Sequence, residues 1–114
     1  MVEFRVEETG ATLNVEIADN AWKRMLGLMG RRRLDSGTGL FIVPCNSIHM
    51  MFMRFSIDAV YVDKEYRIKK IVRGLRPWFG LSMCWGAFGV LELPSGDADK
   101  FSLNVGQTFN VNPK

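Results

Sequence analysis

"SIDAVYVDKEYRIKKIV", residues 56–72, decides the fold. Two runs rich in β-branched and aromatic residues flank the turn Asp63-Lys64-Glu65, the pattern of a β-hairpin. In "IDAVYV" the two-residue period sets Asp58 on one face with Val60 and Val62, and Ile57, Ala59 and Tyr61 on the other. Both faces are apolar, so the strand is covered on both sides. A carboxylate in such a place must meet hydrogen-bond donors or a cation, because a buried unpaired charge is very costly. An arginine fork suits a carboxylate, and the candidate partners are Arg24, Arg31, Arg54 and His49. The competing reading is structural, with Asp58 tying a strand end to a loop backbone or to an arginine.

Working outward, "MVEFRVEETG" alternates apolar and charged residues and reads as a strand over 2–8, joined through Thr9-Gly10 to a second over 11–18. Leu13, Val15 and Ile17 share one face of that second strand, with Thr12, Asn14 and Glu16 opposite. The period then changes. Trp22, Met25, Leu26 and Met29 stand at i, i+3, i+4 and i+7, so "NAWKRMLGLMG" is expected to be a short amphipathic helix. Asp19 or Asn20 caps its start and Gly30 ends it; Gly27 inside it would cost up to ~1 kcal/mol against alanine. "LFIVP" reads as a buried strand halted by Pro44, "AFGVLEL" as another, "DADKFSLN" as a helical turn and "GQTFNVN" as the closing strand. About seven short strands without βαβ alternation predict a mainly β fold: a compact antiparallel β-sandwich or barrel-like domain with one short helix in its N-terminal half. Residues 1–114 are expected to form a single domain.

With 47% hydrophobic and 24% charged residues, the composition is that of a globular chain. No run approaches the ~18 apolar residues that span a bilayer, and the N-terminus has no secretion-signal pattern, so the expected location is cytoplasmic, with no membrane partner. Cys45 and Cys84 lack C-x-x-C spacing and are expected to be buried free thiols. The net charge of +3 permits an acidic partner without calling for one.

The segment "HMMFM", 49–53, holds the only histidine of the chain. A lone histidine does not make a zinc site. Cys45, Ser47, Ser56 and Cys84 are possible nucleophiles, but none stands in a nucleophile motif, and no catalytic residue is assigned. One imidazole with three thioethers and nearby Cys45 suits copper(I). On a straight strand, however, His49 and Met53 would lie ~13 Å apart. Methionine also fills irregular cores well, which is the favoured reading here. No cofactor and no metal is assigned.

The motifs "RMLGLMGRRRL", "GLFIVPCNSIHMMFMRFSIDAVYVD", "RIKKIVRGLRPW", "GVLELPSG" and "LNVGQTF", taken in order over about residues 18–111, resemble those of the family called domain of unknown function 192. The resemblance implies a compact, mainly β, sandwich-like fold with a short helix near the start. The family-typical positions are Arg24, Gly27, Leu28, Met29 and Arg31, then His49, Met53 and Asp58, then Glu92. Many relatives carry an aromatic two places after the histidine, where this chain has Met51. The family brings a residue set without a reaction.

The leading functional expectation is a binding module. Arg24, Arg31, His49, Asp58 and Glu92 would converge with Met53 on a polar pocket that holds a small ligand or a partner's polar group. One alternative is nucleic-acid or acidic-partner binding through Arg31–Arg33, Arg67, Lys69, Lys70, Arg73 and Arg76, with Trp78, Phe79 or Trp85 for stacking. A further alternative is copper(I) at the His/Met segment. Trp78, Phe79, Leu81 and Trp85 lie among glycines in an expected loop and are read as a roof over the core.

Overall fold

The structure, a computed structural model, describes residues 1–28 and 31–113, without the side chains of residues 21, 22 and 25. The expectations placed on Trp22, Met25, Met29 and Gly30 therefore lie outside the described residues. Along the chain run β1 Val2–Val6, β2 Thr12–Ala18, α1 Ala21–Leu26, β3 Thr38–Ile42, β4 Ser47–His49, β5 Ile57–Val62, β6 Ile68–Leu75, β7 Leu81–Met83, β8 Gly89–Pro94, α2 Asp97–Lys100 and β9 Phe109–Pro113. Seven strands form one sheet in the order β6-β5-β8-β3-β2-β1-β9, and β4 and β7 pair as a separate ribbon.

The two edge strands of the large sheet approach one another. Arg67 bridges Thr108, Ile68 N–H donates to Gln107 O at 2.8 Å, and Phe109 N–H donates to Tyr66 O at 3.0 Å. The sheet is thus curled into a half-barrel whose edges meet at one end. Its inner face carries Phe4, Leu13, Val15, Phe41, Val60, Val62, Leu91, Leu93 and Phe109, all buried in one cluster. Phe4 lies at its centre, with ring centroids 5.2 Å from Phe41 and 5.3 Å from Phe109. Residues from both ends of the sheet share this cluster, as curling requires. The opposite face carries Leu40, Ile42, Ala59, Tyr61 and Val90, which pack with Leu28, Ile48, Met50 and Met53 in a second cluster. The parity read for "IDAVYV" is the observed one: Val60 and Val62 in the first core, Ile57, Ala59 and Tyr61 in the second, with every residue of β5 buried.

The ribbon lies over this second face. Ile48 and Ser82 point inward from β4 and β7, and the hydroxyls of Tyr61 and Ser82 hydrogen-bond at 2.7 Å. Burial pushes the Tyr61 phenol up to about 12, so that bond joins two neutral groups near neutral pH. Met50 N–H donates to Gly80 O at 2.9 Å, and a Cβ at Gly80 would stand 2.6 Å from Met50 Cγ, so glycine is what allows the two segments to close.

Four expectations are corrected. The β2–β3 pair is parallel, joined by residues 19–37, which carry α1. A parallel pair needs a crossover of about a dozen residues or more; this stretch supplies it, making one β-α-β unit in an otherwise antiparallel sheet. The helix is shorter than its apolar spacing predicts. Asn20 caps it by accepting from Lys23 N–H at 2.8 Å, but Gly27 ends it at φ +48°, donating to Lys23 O. Gly27 is therefore the C-terminal cap and not an interior residue, since positive φ is cheap only for glycine. Among the described residues nine strands replace the expected seven, because β4 and β7, three residues each, are too short for periodicity to declare them. Of the two free cysteines, Cys84 is buried as expected, whereas Cys45 is only half-buried.

Candidate functional site

β3 ends at Ile42, and Cys45, just beyond Pro44, donates its N–H to Phe88 O at 3.0 Å, so the chain leaves the sheet beside β8. It then enters β4, whose Ser47 and His49 face away from the core. On the other side Gly27 turns the chain out of α1 and delivers Leu28 into the second core, 1% exposed. Between these segments lies a cavity of about 180 Å³. Arg24, Cys45, Ser47, His49 and Glu92 are the polar or ionisable side chains on its wall; Leu26, Leu28, Ile42, Pro44, Ile48 and Met53 supply the apolar part.

Glu92 is the unusual member. Across β2, β3, β8 and β5 the register partners run Glu16, Leu40, Glu92, Ala59, so the carboxylate projects from the sheet between a leucine and an alanine. It is 5% exposed, and among the described residues no donor hydrogen-bonds it. Burial drives its acidity down, pushing the pKa up to about 7, against which the positive charge of Arg31 pulls only partly. Burial likewise raises the Cys45 thiol, with Glu92 adding to the rise and Arg24 opposing it. Cys45 is thereby flanked by two opposite charges on one cavity wall.

Of the six residues singled out in the sequence, the structure brings Arg24, His49, Met53 and Glu92 to this cavity and leaves two outside it. Arg31 pairs with Glu16 at 2.8 Å, both side chains about half exposed, on the adjacent surface. Asp58 lies on the other face of the sheet, where its carboxylate accepts from Gly74 N–H at 2.9 Å and from Gly96 and Ala98 N–H at 3.0 Å each. Among the described residues it meets no arginine, and it does not line the cavity, an arrangement that agrees with the structural reading of Asp58. Three backbone donors converge because β6 and the start of α2 both pack beside β5. Two wall residues, Cys45 and Ser47, were not among the binding residues read from the sequence; the turn at Pro44, which places both, leaves no periodic signal.

The methionines of "HMMFM" divide. Met50 is fully buried beneath the ribbon, Met51 is 49% exposed, and only Met53 shares the cavity with His49. Among the described residues no three His, Cys, Asp or Glu side chains converge as metal ligands would. The expectation that Trp78, Phe79, Leu81 and Trp85 roof the core is also corrected. Phe79 is 90% and Trp85 85% exposed, and Trp78, Leu81, Met83, Met51 and Phe52 join them on the outside of the ribbon. Phe52 and Trp78 stack edge to face with centroids 5.0 Å apart. Lys70 Nζ donates to Met83 O at 2.8 Å and Lys69 Nζ to Trp85 O at 3.4 Å, so the ammonium groups lie against the same ribbon. Among the described residues no helix is long and apolar enough to cross a membrane.

A curled, mainly β half-barrel, with a ribbon and a short helix enclosing a carboxylate-bearing cavity, is the class that fold and site define. Residues 3–111 match the model of DUF192, described as an Uncharacterized ACR, and the chain belongs to that family, as its motifs suggested. It is 34% identical over 104 residues to a UPF0127 protein of Thermococcus sibiricus, covering 87% of this chain and 66% of that one, just under two thirds of the relative's length. A UPF0127 protein of Pyrococcus furiosus is 30% identical over 105 residues, 88% of either chain. Two solved structures share the fold at a TM-score of 0.84. One, a protein of unknown function from Novosphingobium aromaticivorans, is 20% identical, with 96% of this chain and 82% of that one covered. The other, from Sinorhizobium meliloti and provisionally described as a transcription regulator, is 21% identical, with 96% and 91% covered.

Proposed function

We propose that this protein is a binding module for a small ligand, held in the cavity between the end of α1, the turn at Pro44 and the ribbon. The observation that carries this reading is the Glu92 carboxylate: buried, facing the cavity and without a donor among the described residues. Its oxygens still reach the cavity's open side, because among the described residues no side-chain oxygen or nitrogen is fully out of water without a partner. Burial penalises its charged form, and a ligand that donates to it would supply the fixed partner that the surrounding residues do not. Arg24 and His49 supply polar groups and Leu28, Ile42 and Met53 an apolar wall, the mixture usual for ligand sites. Screening a fragment set by amide chemical-shift mapping tests the reading. Shifts concentrated at Arg24, Cys45, His49 and Glu92 are expected; hits that shift only the ribbon or nothing would sink it.

The exposed ribbon favours a second reading, an acidic partner or single-stranded nucleic acid docked on Trp78, Phe79 and Trp85 beside Lys69 and Lys70. Residues 66–89 contain no aspartate or glutamate, so nothing on that stretch would repel an anion. Arg67 and Arg73 are engaged with Gly106 O and Asp99, while Lys69 and Lys70 each spend one donor on a ribbon carbonyl and keep others for an anion, beside Arg76. Retention on a polyanion column that falls steeply with salt, and is lost in Lys69→Gln/Lys70→Gln, is the expected behaviour. Salt-independent elution would end this reading.

A further inference from the structure

We infer that the ligand of this cavity is a small zwitterion of amino-acid type, its ammonium group on Glu92 and its carboxylate on Arg24. The inference rests on the proposed binding role and adds the chemical class. Two opposite charges line one cavity without neutralising each other: among the described residues the ion pairs are Arg31–Glu16, Arg33–Asp35 and Arg73–Asp99, and neither Arg24 nor Glu92 takes part in one. The Arg24 side chain, half-buried in the last turn of α1, has no hydrogen-bond acceptor among the described residues, and Glu92 has no donor. A simple anion would leave the poorly solvated carboxylate with water alone, and a simple cation would leave the half-buried guanidinium so. Among the described residues no three His, Cys, Asp or Glu side chains converge, so the site does not present a ligand set of those groups to a metal ion. A ligand bearing both charges satisfies both ends at once, and a guanidinium presents the planar fork that a carboxylate fits.

The volume sets the scale. A cavity of about 180 Å³ is near the size of the engineered cavity of about 150 Å³ that takes benzene, so a molecule of about six to eight heavy atoms fits. Its short carbon body would lie against Leu28, Ile42 and Met53. The Glu92 pKa of about 7 gives the site a proton linkage, because an ammonium group binds the ionised carboxylate. The other charged or titratable groups facing it are Arg31 from beyond α1, Arg24, the Cys45 thiol, His49 on the ribbon and Tyr61 on β5. Affinity should therefore rise about tenfold between pH 6 and pH 8, the factor that a single group titrating near 7 imposes.

The test uses the intact protein and three probes of similar length: 4-aminobutyrate, n-butylammonium and butyrate, titrated by amide chemical-shift mapping at pH 8. The zwitterion is expected to bind at least tenfold more tightly than either singly charged probe, with shifts at Arg24 and Glu92. Glu92→Gln and Arg24→Gln should each weaken it at least tenfold, while their thermal unfolding shows that the fold is intact. Equal binding of 4-aminobutyrate and n-butylammonium, or an Arg24→Gln protein that binds as wild type, overturns the zwitterion while the binding module stands. Should no probe shift a cavity residue while the fragment set does, the ligand class is wrong. If neither probes nor fragments do so, the binding reading itself falls.

Discussion

Two carboxylates stand one register step apart on neighbouring strands of the same sheet, and the fold treats them in opposite ways. Asp58 on β5 faces Leu93, and Glu92 on β8 faces Ala59, so the pleat sends their side chains to opposite faces. Asp58 is 1% exposed and Glu92 5% exposed, yet Asp58 receives three backbone N–H bonds and Glu92 none from a described residue. Burial alone therefore does not separate a structural acid from a candidate binding acid; the number of donors aimed at it does. The inner face closes on itself, with the end of β6 and the start of α2 bringing amides to Asp58. The outer face is completed by a helix end and a ribbon that leave a gap over Glu92.

Asp58→Asn should show the largest effect. An amide keeps one acceptor but turns a donor against backbone N–H groups, so a loss of about 3 kcal/mol in urea unfolding at pH 7 is expected. A loss below ~1 kcal/mol would show the three bonds to be dispensable and erase the contrast. Glu92→Gln should act in the other direction. The folded pKa of about 7 exceeds the ordinary 4.5, so the folded state holds the proton more tightly than the unfolded state. Its favourable contribution is complete below about pH 4.5 and is lost as pH rises through 7. At about 1.4 kcal/mol per pH unit, the rise from 4.5 to about 7 amounts to about 3.5 kcal/mol. The amide keeps part of the burial cost, so Glu92→Gln is expected to gain on the order of 2 kcal/mol at pH 8 and to flatten stability between pH 5 and 7. A wild type whose stability does not fall over that interval contradicts the buried, unpartnered state.

Tyr61→Phe breaks the hydroxyl bond to Ser82 and should lower stability by about 1 kcal/mol, because Ser82 is left buried without that partner. No loss would mean that the ribbon is held by its apolar side chains alone. The smallest effect is expected at Phe79→Ser, under ~0.5 kcal/mol, since the ring is 90% exposed. The same change should reduce binding of a hydrophobic dye. A large destabilisation there would return Phe79 to the core and restore the roof expected from the sequence.

Much of this contrast was legible in the residues themselves. Alternation along "IDAVYV" located both faces of β5 and named Asp58 as a buried acid with a debt of donors. Asp19-Asn20 announced the start of α1, of which Asn20 is the observed cap, and the family motifs drew attention to Glu92. The sequence could not say whose donors answer Asp58, because Gly74, Gly96 and Ala98 lie 16 to 40 residues away and offer amides, which every residue has. Nor could it separate Arg24, which reaches the cavity, from Arg31, which turns to Glu16.

Local chemistry thus determined the hairpins, the parity of the central strand, the start of the first helix and the membership of a mainly β class. Each depends on neighbours a few residues apart in the chain. Tertiary structure alone decided the parallel β2–β3 pair, the ribbon of two three-residue strands, the outward display of Trp78, Phe79 and Trp85, and the empty space over Glu92. The physical reason is that desolvation and donor supply depend on which distant segments come to rest on a face, and no period along the chain encodes that.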